Sequence, residues 1–294
     1  MSRIEEALEK AVKMRESAKE VVSEEISAAK PHIPPAQFEA GNALIDIDAV
    51  NKYVVTIKDP YSHAAEQYKK LRARLLRATR KDFHNTIMIT SSESGEGKSL
   101  TAINLAVALS NETDYTVLLV DADLRNPSVH RYFGMEARRG LSDYLKGEAD
   151  IPDLLVKTGL GKLVILPAGN PSESSAELLS SERMKMLVRE LKLRYRDRYV
   201  IFDTSPLLII ADALSLGSFM DGILFVIQEG RTAQKRVAHA LDLMKGYNIL
   251  GVVFNNQQQY VSKDLHPYYY RYGVQQRHQA TSGSGSGGSG ENKS

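Results

Sequence analysis

The sequence predicts a three-layer α/β fold: a mostly parallel central sheet covered by helices on both faces, with an N-terminal helical extension. Three observations carry this. Short, nearly continuous apolar runs recur from residue 86 onward, as strands buried on both faces require. Helical stretches separate most of these runs, and that alternation builds parallel sheets. A glycine-rich turn joins the first run to the helix after it, where open α/β sheets bind their ligands.

The elements follow in order. Residues 2–30 read as a helix. Ser2 and Glu5 form a capping box, and Ile4, Leu8, Ala11, Val12, Ala18, Val22 and Ile26 form a narrow apolar stripe. So thin a stripe does not fold alone, and docking on a partner or on the rest of the chain is expected. Pro31, Pro34 and Pro35 end it. Residues 31–59 read as a linker with a short strand at 53–57, and a second helix is expected over 62–79. The main domain is expected over 60–257, with strands at 86–90, 116–120, 163–166, 199–202, 223–227 and 250–254. Its helices are expected at 98–110, 181–194, 211–218 and 233–245. A tyrosine-rich tail, 258–278, and a flexible Ser/Gly-rich tail, 279–294, complete the chain.

Composition narrows the function. The 294 residues include 38 basic and 36 acidic side chains and no cysteine. The near balance excludes a globally basic, histone-like binder. Without thiols there are no disulfides, thiolate zinc sites or cysteine nucleophiles. The longest apolar stretches, 222–227 and 207–211, fall far short of the roughly 20 residues that span a bilayer. A chain charged from its third residue does not open like a signal peptide, so a cytoplasmic protein is expected. Basic residues do cluster at Lys69, Lys70, Arg72, Arg74, Arg77, Arg80 and Lys81. A solvated helix face, a subunit contact, an acidic membrane surface and nucleic acid are alternative readings of that run.

Three motifs carry chemistry. The first is Ser91-Ser92-Glu93-Ser94-Gly95-Glu96-Gly97-Lys98-Ser99, between a strand and a helix. Its glycines let successive N–H groups turn toward phosphate oxygens, and the helix N-terminus adds partial positive charge. Ser94, Gly95, Glu96, Gly97, Lys98, Ser99 and Leu100 are the expected nucleotide-binding residues, with Lys98 on the β- and γ-phosphates and Ser99 on Mg²⁺. Ser92 stands where the strict pattern has glycine. The second motif, Asp121-Ala122-Asp123-Leu124-Arg125, leaves a buried strand with two carboxylates and an arginine. The third is the apolar strand 199–202 ending in Asp203-Thr204-Ser205-Pro206, where Asp203 is placed to reach Mg²⁺ through water. Lys98, Asp121, Asp123, Arg125 and Asp203 are the expected catalytic groups, and Ser99, Asp121, Asp123 and Asp203 the expected metal-holding groups. Beyond them, Tyr260, Tyr268, Tyr269, Tyr270 and Tyr272 fit no buried periodicity and read as phosphate acceptors or an aromatic contact patch.

Together these motifs resemble the bacterial protein-tyrosine kinases, a P-loop class unrelated to eukaryotic kinases. The match rests on Gly97-Lys98-Ser99, on the DxDxR form of 121–125, on the DxxP form of 203–206 and on the closing tyrosines, and it covers roughly residues 60–272. The family's oligomerisation motif, Glu-x-x-Arg-x-x-Arg, corresponds to Glu66, Lys69 and Arg72, with lysine replacing the first arginine. That change keeps the charge and loses the bidentate fork. The opening residues 1–11 are similar to the branch associated with exosortase and exopolysaccharide gene clusters.

The resemblance implies an ATP- and Mg²⁺-dependent tyrosine autokinase, phosphorylating its own tail and regulating exopolysaccharide synthesis and export. It implies a homo-oligomer, in ring form, and a separate membrane-anchored polysaccharide co-polymerase as activator, which would hold the protein at the inner membrane. It also implies a cognate tyrosine phosphatase, and no nucleic-acid partner. Asn255, after the last strand, corresponds to an asparagine that related ATPases place on adenine, although a turn role is the simpler reading. Partition and septum-placing ATPases share the fold and are the alternative: a nucleotide switch without phosphotransfer to protein. They carry a lysine early in the phosphate loop, where this chain has Glu93.

Overall fold

A computed structural model describes residues 45–257 apart from 82, 137, 195 and 196. Seven strands form one sheet: β1 (Thr86–Ser91), β2 (Thr116–Asp121), β3 (Val156–Lys157), β4 (Leu163–Leu166), β5 (Arg198–Asp203), β6 (Gly222–Gln228) and β7 (Ile249–Asn255). Their order is β3-β4-β2-β5-β1-β6-β7. Every neighbouring pair is parallel except β3 with β4. The six strands expected from sequence all form, each within a residue at either end. β3 was not expected. It is two half-buried residues at the sheet edge, too short to show a period.

Alternation along the strands sorts side chains to two faces. Ile87, Ile89, Val117, Leu119, Tyr199, Ile201, Leu224 and Val226 share one core with the helix Lys98–Ser110. On the other face Leu118, Val120, Val200 and Phe202 pack with the helix Glu182–Arg194, while Ile223, Phe225 and Ile227 pack near the helix Gln234–Leu243. Every residue of Lys98–Ser110 except Leu100 is buried, because a further helix, His63–Thr79, covers its outer side. Ser62 caps that outer helix, its hydroxyl accepting from the Ala65 N–H at 3.1 Å.

Residues 53–57, expected as a strand, instead lead into the helix Val55–Lys58. The β-branched run Val54-Val55-Thr56-Ile57 suggested extension, but its neighbour is a helix and offers no ladder. Instead the Asn104 side-chain oxygen accepts from the Thr56 N–H at 3.0 Å and the Thr56 hydroxyl at 2.9 Å. Val50 and Val54 are buried in the same core as Lys98–Ser110, so packing begins within the stretch read as linker. The helix expected over 181–194 forms as Glu182–Arg194, and a short helix not expected from sequence, Ser175–Ser180, precedes it, the two separated by Ser181 in extended conformation. The helix at 2–30, the tyrosine-rich tail 258–278 and the Ser/Gly tail 279–294 lie outside the described residues. Among the described residues, no helix is long and apolar enough to cross a membrane.

The register sets the site. Asp203 of β5 lies opposite Ile89 of β1 and Asp121 of β2. The chain runs from β1 out to β2 on one side and later to β6 on the other, the reversal at which such sheets open a crevice.

Candidate active site

The phosphate loop leaves the carboxyl end of β1. Gly95 (φ +82) and Gly97 (φ +91) are left-handed, and Gly97 directly precedes the helix Lys98–Ser110. A Cβ on Gly97 would lie 1.9 Å from the Asn255 side-chain nitrogen, so both backbone angle and space demand glycine there. Lys98 reaches across the crevice. Its ammonium is 2.8 Å from Asp123 Oδ2, 3.8 Å from Asp203 Oδ1 and 3.3 Å from the Ser99 hydroxyl. Burial works against its charge, but the carboxylates of Asp203, Asp123 and Asp121 outweigh burial and raise its pKa.

The three aspartates are held differently. Asp121 Oδ2 accepts from the Ser128 and Val129 N–H groups, each at 3.0 Å, and Oδ1 accepts from the Asp123 N–H at 3.2 Å. Burial is the largest influence on Asp121, the Asp203 charge adds to it, and its pKa rises to about 7 despite those N–H donors. Asp123 is the direct partner of Lys98. Asp203 is fully buried, and burial lifts it to about 6 against the opposing pull of the Lys98 ammonium and the Ser99 hydroxyl. Neither Asp203 oxygen makes a well-formed hydrogen bond among the described residues.

These features fit a magnesium nucleotide. Asp203 has buried lone pairs with no aligned donor, and Asp121, Asp123 and Ser99 lie beside it: hard oxygen donors of the kind Mg²⁺ takes. Among the described residues no complete cage of three His, Asp or Glu side chains exists. Mg²⁺ in phosphate sites typically keeps waters and phosphate oxygens as ligands, so such a cage is not required.

Other expected residues are placed as follows. The Asn255 side chain donates to the Glu96 carbonyl at 2.9 Å, so it braces the loop. Arg125 pairs through Nε with Asp212 Oδ2 at 3.4 Å. Lys69 pairs with Glu66 at 3.2 Å on the surface of their helix, whereas Arg72 turns back to Glu112 at 2.8 Å and to the Ala108 carbonyl at 3.1 Å. The tail tyrosines Tyr260, Tyr268, Tyr269, Tyr270 and Tyr272 are outside the described residues.

Sequence reasoning missed a second brace. Glu96 is buried and accepts from its own loop at the Glu93 N–H, 2.6 Å away, and from the Thr232 hydroxyl. Arg236 pairs with Glu93, and Arg231 donates to the Gly95 carbonyl at 3.3 Å. The segment after β6 thus clamps the loop. Its only sequence signal was its place at the carboxyl end of a buried strand. Half-buried Tyr132 also lies close enough to the site for the Asp203 charge to help burial raise its pKa.

Comparison with known proteins agrees with this geometry. Residues 87–266 match the CobQ/CobB/MinD/ParA nucleotide binding domain family. Over 227 residues the chain is 36% identical to tyrosine-protein kinase YwqD of Bacillus subtilis (strain 168), covering 76% of this chain and 93% of that one. The solved kinase domain of the Escherichia coli tyrosine kinase ETK superposes with a TM-score of 0.64 at 29% identity, covering 70% of this chain and 82% of that one. The cell division ATPase MinD of Pyrococcus furiosus is more distant, with a TM-score of 0.51 at 26% identity, covering 62% and 74%. A phosphate loop, a lysine among three strand-end aspartates and near-complete coverage of a tyrosine kinase at this identity make one conclusion: the chain belongs to the bacterial tyrosine-protein kinases, on the nucleotide-binding domain shared with CobQ, CobB, MinD and ParA.

Proposed function

We propose that this kinase uses ATP and Mg²⁺ to phosphorylate the tyrosines that follow residue 257 in a neighbouring copy of itself, and thereby regulates exopolysaccharide synthesis and export. The observation that carries the reading is Lys98, set in the phosphate loop within 4 Å of both Asp123 and Asp203. Ser94 to Leu100 would cradle the triphosphate. Ser99, Asp121, Asp123 and Asp203 would hold Mg²⁺, partly through water, and the ion would neutralise charge on the phosphate oxygens. The tyrosine oxygen attacks the γ-phosphorus in line, and the O–P bond forms as the bond to the departing ADP oxygen breaks. A phenol with a pKa of about 10 is protonated at neutral pH, so its proton passes to Asp121 or Asp123. Burial raises the pKa of Asp121 in the nucleotide-free site, which favours it over Asp123 as the acceptor. Lys98 stabilises charge on the transferred group, and Arg125 is the further cation of the set.

A tail tethered just past β7 raises acceptor concentration near the site. Each phosphate adds about 1.5 to 2 negative charges, so a filled tail is repelled from an assembled oligomer. Glu66 and Lys69, half-buried on their helix, support a subunit contact there, while Arg72 serves that contact only by leaving Glu112. A separate membrane-anchored co-polymerase as activator and a cognate phosphatase complete the cycle. The test is intact mass after incubation of phosphatase-treated protein with ATP and Mg²⁺. Added phosphates that Lys98→Met abolishes support the reading; ATP turnover without mass gain, even with the activator's cytosolic segment present, favours a partition-type switch.

A further inference from the structure

We infer that Asp212, braced by Ser175, is a positioning residue that aims Arg125 at the transferred phosphoryl group. The inference rests on the kinase reading above and adds a component to that site. Asp212 stands nine positions past Asp203, at the start of the helix Asp212–Gly217. The loop between them runs beside the phosphate loop: the Leu207 N–H donates to the Ser91 carbonyl at 2.9 Å, and the Leu208 N–H to the Ser92 carbonyl at 3.1 Å. The Asp212 side chain is 1% exposed and that of Arg125 is 41% exposed. A buried carboxylate therefore grips a guanidinium whose far end is open.

The grip is specific in its atoms. Arg125 uses Nε, at 3.4 Å. Among the described residues its two terminal nitrogens have no partner, and these carry the fork that suits phosphate oxygens. The same Asp212 Oδ2 accepts the Ser175 hydroxyl at 2.5 Å, which orients the carboxylate. Ser175 opens the helix Ser175–Ser180 after β4, and the Ser172 N–H donates to the Leu124 carbonyl at 2.9 Å, next to Arg125 itself. Segments following β2, β4 and β5 thus converge on one guanidinium. Asp212 Oδ1 is buried without a partner among the described residues. Leaving a buried carboxylate half satisfied is unfavourable, so a purely structural pair would more naturally use both oxygens on a bidentate arginine. One-sided engagement through Nε fits an arginine held ready for a second anion, its side-chain entropy already reduced.

The experiment is a double-mutant cycle on the full chain, with phosphatase-treated protein. Arg125→Ala, Asp212→Ala and the double variant are compared for initial rate of tyrosine phosphorylation at saturating ATP, apparent KM for ATP and Tm. Misplacing a transition-state group by about 1 Å costs on the order of a hundredfold. Each single variant is expected to lower kcat by about tenfold to a hundredfold, and the double variant to be no slower than Arg125→Ala. Asp212→Asn, which retains an oxygen acceptor for Nε, is expected to recover part of the loss. Losses that multiply in the double variant, or a fall in Tm that alone accounts for the Asp212→Ala loss, overturn the inference. Arg125→Ala at the parent rate also overturns it while leaving the kinase reading intact, since that reading stands on Lys98.

Discussion

Asp203 and Asp121 show what the site gives up in stability. Both carboxyls are lifted from an ordinary 3.8, to about 6 and about 7, because burial disfavours their charge. An acid whose pKa is higher folded than unfolded favours the fold most when protonated in both states. Its contribution is therefore lost as pH rises from about 4 to about 7, and the loss is complete above that. The nucleotide-free protein should lose stability from these two groups across that window, which thermal melts at a series of pH values would reveal. Asp203→Asn removes one buried charge while Lys98 keeps Asp123 as partner. It should raise the Tm of the nucleotide-free protein by about 2–4 °C at neutral pH, equivalent to about 1 kcal/mol for a domain of this size, and eliminate tyrosine phosphorylation. A lower Tm would mean that Asp203 holds the fold together rather than burdening it. Gly97→Ala places a methyl in a left-handed residue against Asn255, which costs at least 1–2 kcal/mol from backbone angle alone. It should weaken binding of a fluorescent ATP analogue more than it lowers Tm.

Among the elements, a clasp at the opposite end of the sheet does structural work. Asp221 accepts from the Asn85 N–H at 3.1 Å, the Thr86 N–H at 3.2 Å and the Thr86 hydroxyl at 2.9 Å, and it also pairs with Lys192. Partial burial opposes its charge, yet the Lys192 and Thr86 donors prevail and lower its pKa. Asp221→Ala leaves the Asn85 and Thr86 N–H groups without their acceptor and should cost about 1–3 kcal/mol by urea denaturation, with little change in kcat. A lowered carboxyl stabilises above its unfolded pKa, so the difference between parent and variant should shrink as pH falls through the folded value. The strands were legible because β1, β2, β5 and β6 are buried along nearly their whole length, which compels continuous apolar runs. Val55–Lys58 was not legible, because a partner helix decided its conformation against its β-branched residues. Lys98–Ser110 was read to the residue, since Gly97 caps it and its apolar character is unbroken from Leu105 to Leu109.

For the whole molecule, the difference between what sequence showed and what it hid is one of distance along the chain. Lys98, Ser99, Asp121, Asp123 and Asp203 were legible because each sits in a local motif, and parallel register alone brings Asp121 beside Asp203. Thr232 on Glu96 and Asp212 on Arg125 were hidden, because these contacts join segments separated by 136 and 87 residues. If tail phosphorylation drives disassembly, light scattering should show a smaller oligomer after ATP than after phosphatase treatment; equal sizes would remove the cycle while leaving the kinase. The most direct test of the account mixes active protein with an isotopically heavy Lys98→Met copy, adds ATP and Mg²⁺, and maps phosphate on the heavy chain. Phosphate on Tyr260, Tyr268, Tyr269, Tyr270 or Tyr272 of that inactive copy is the predicted result. A heavy chain that stays unmodified while ATP is consumed would contradict it.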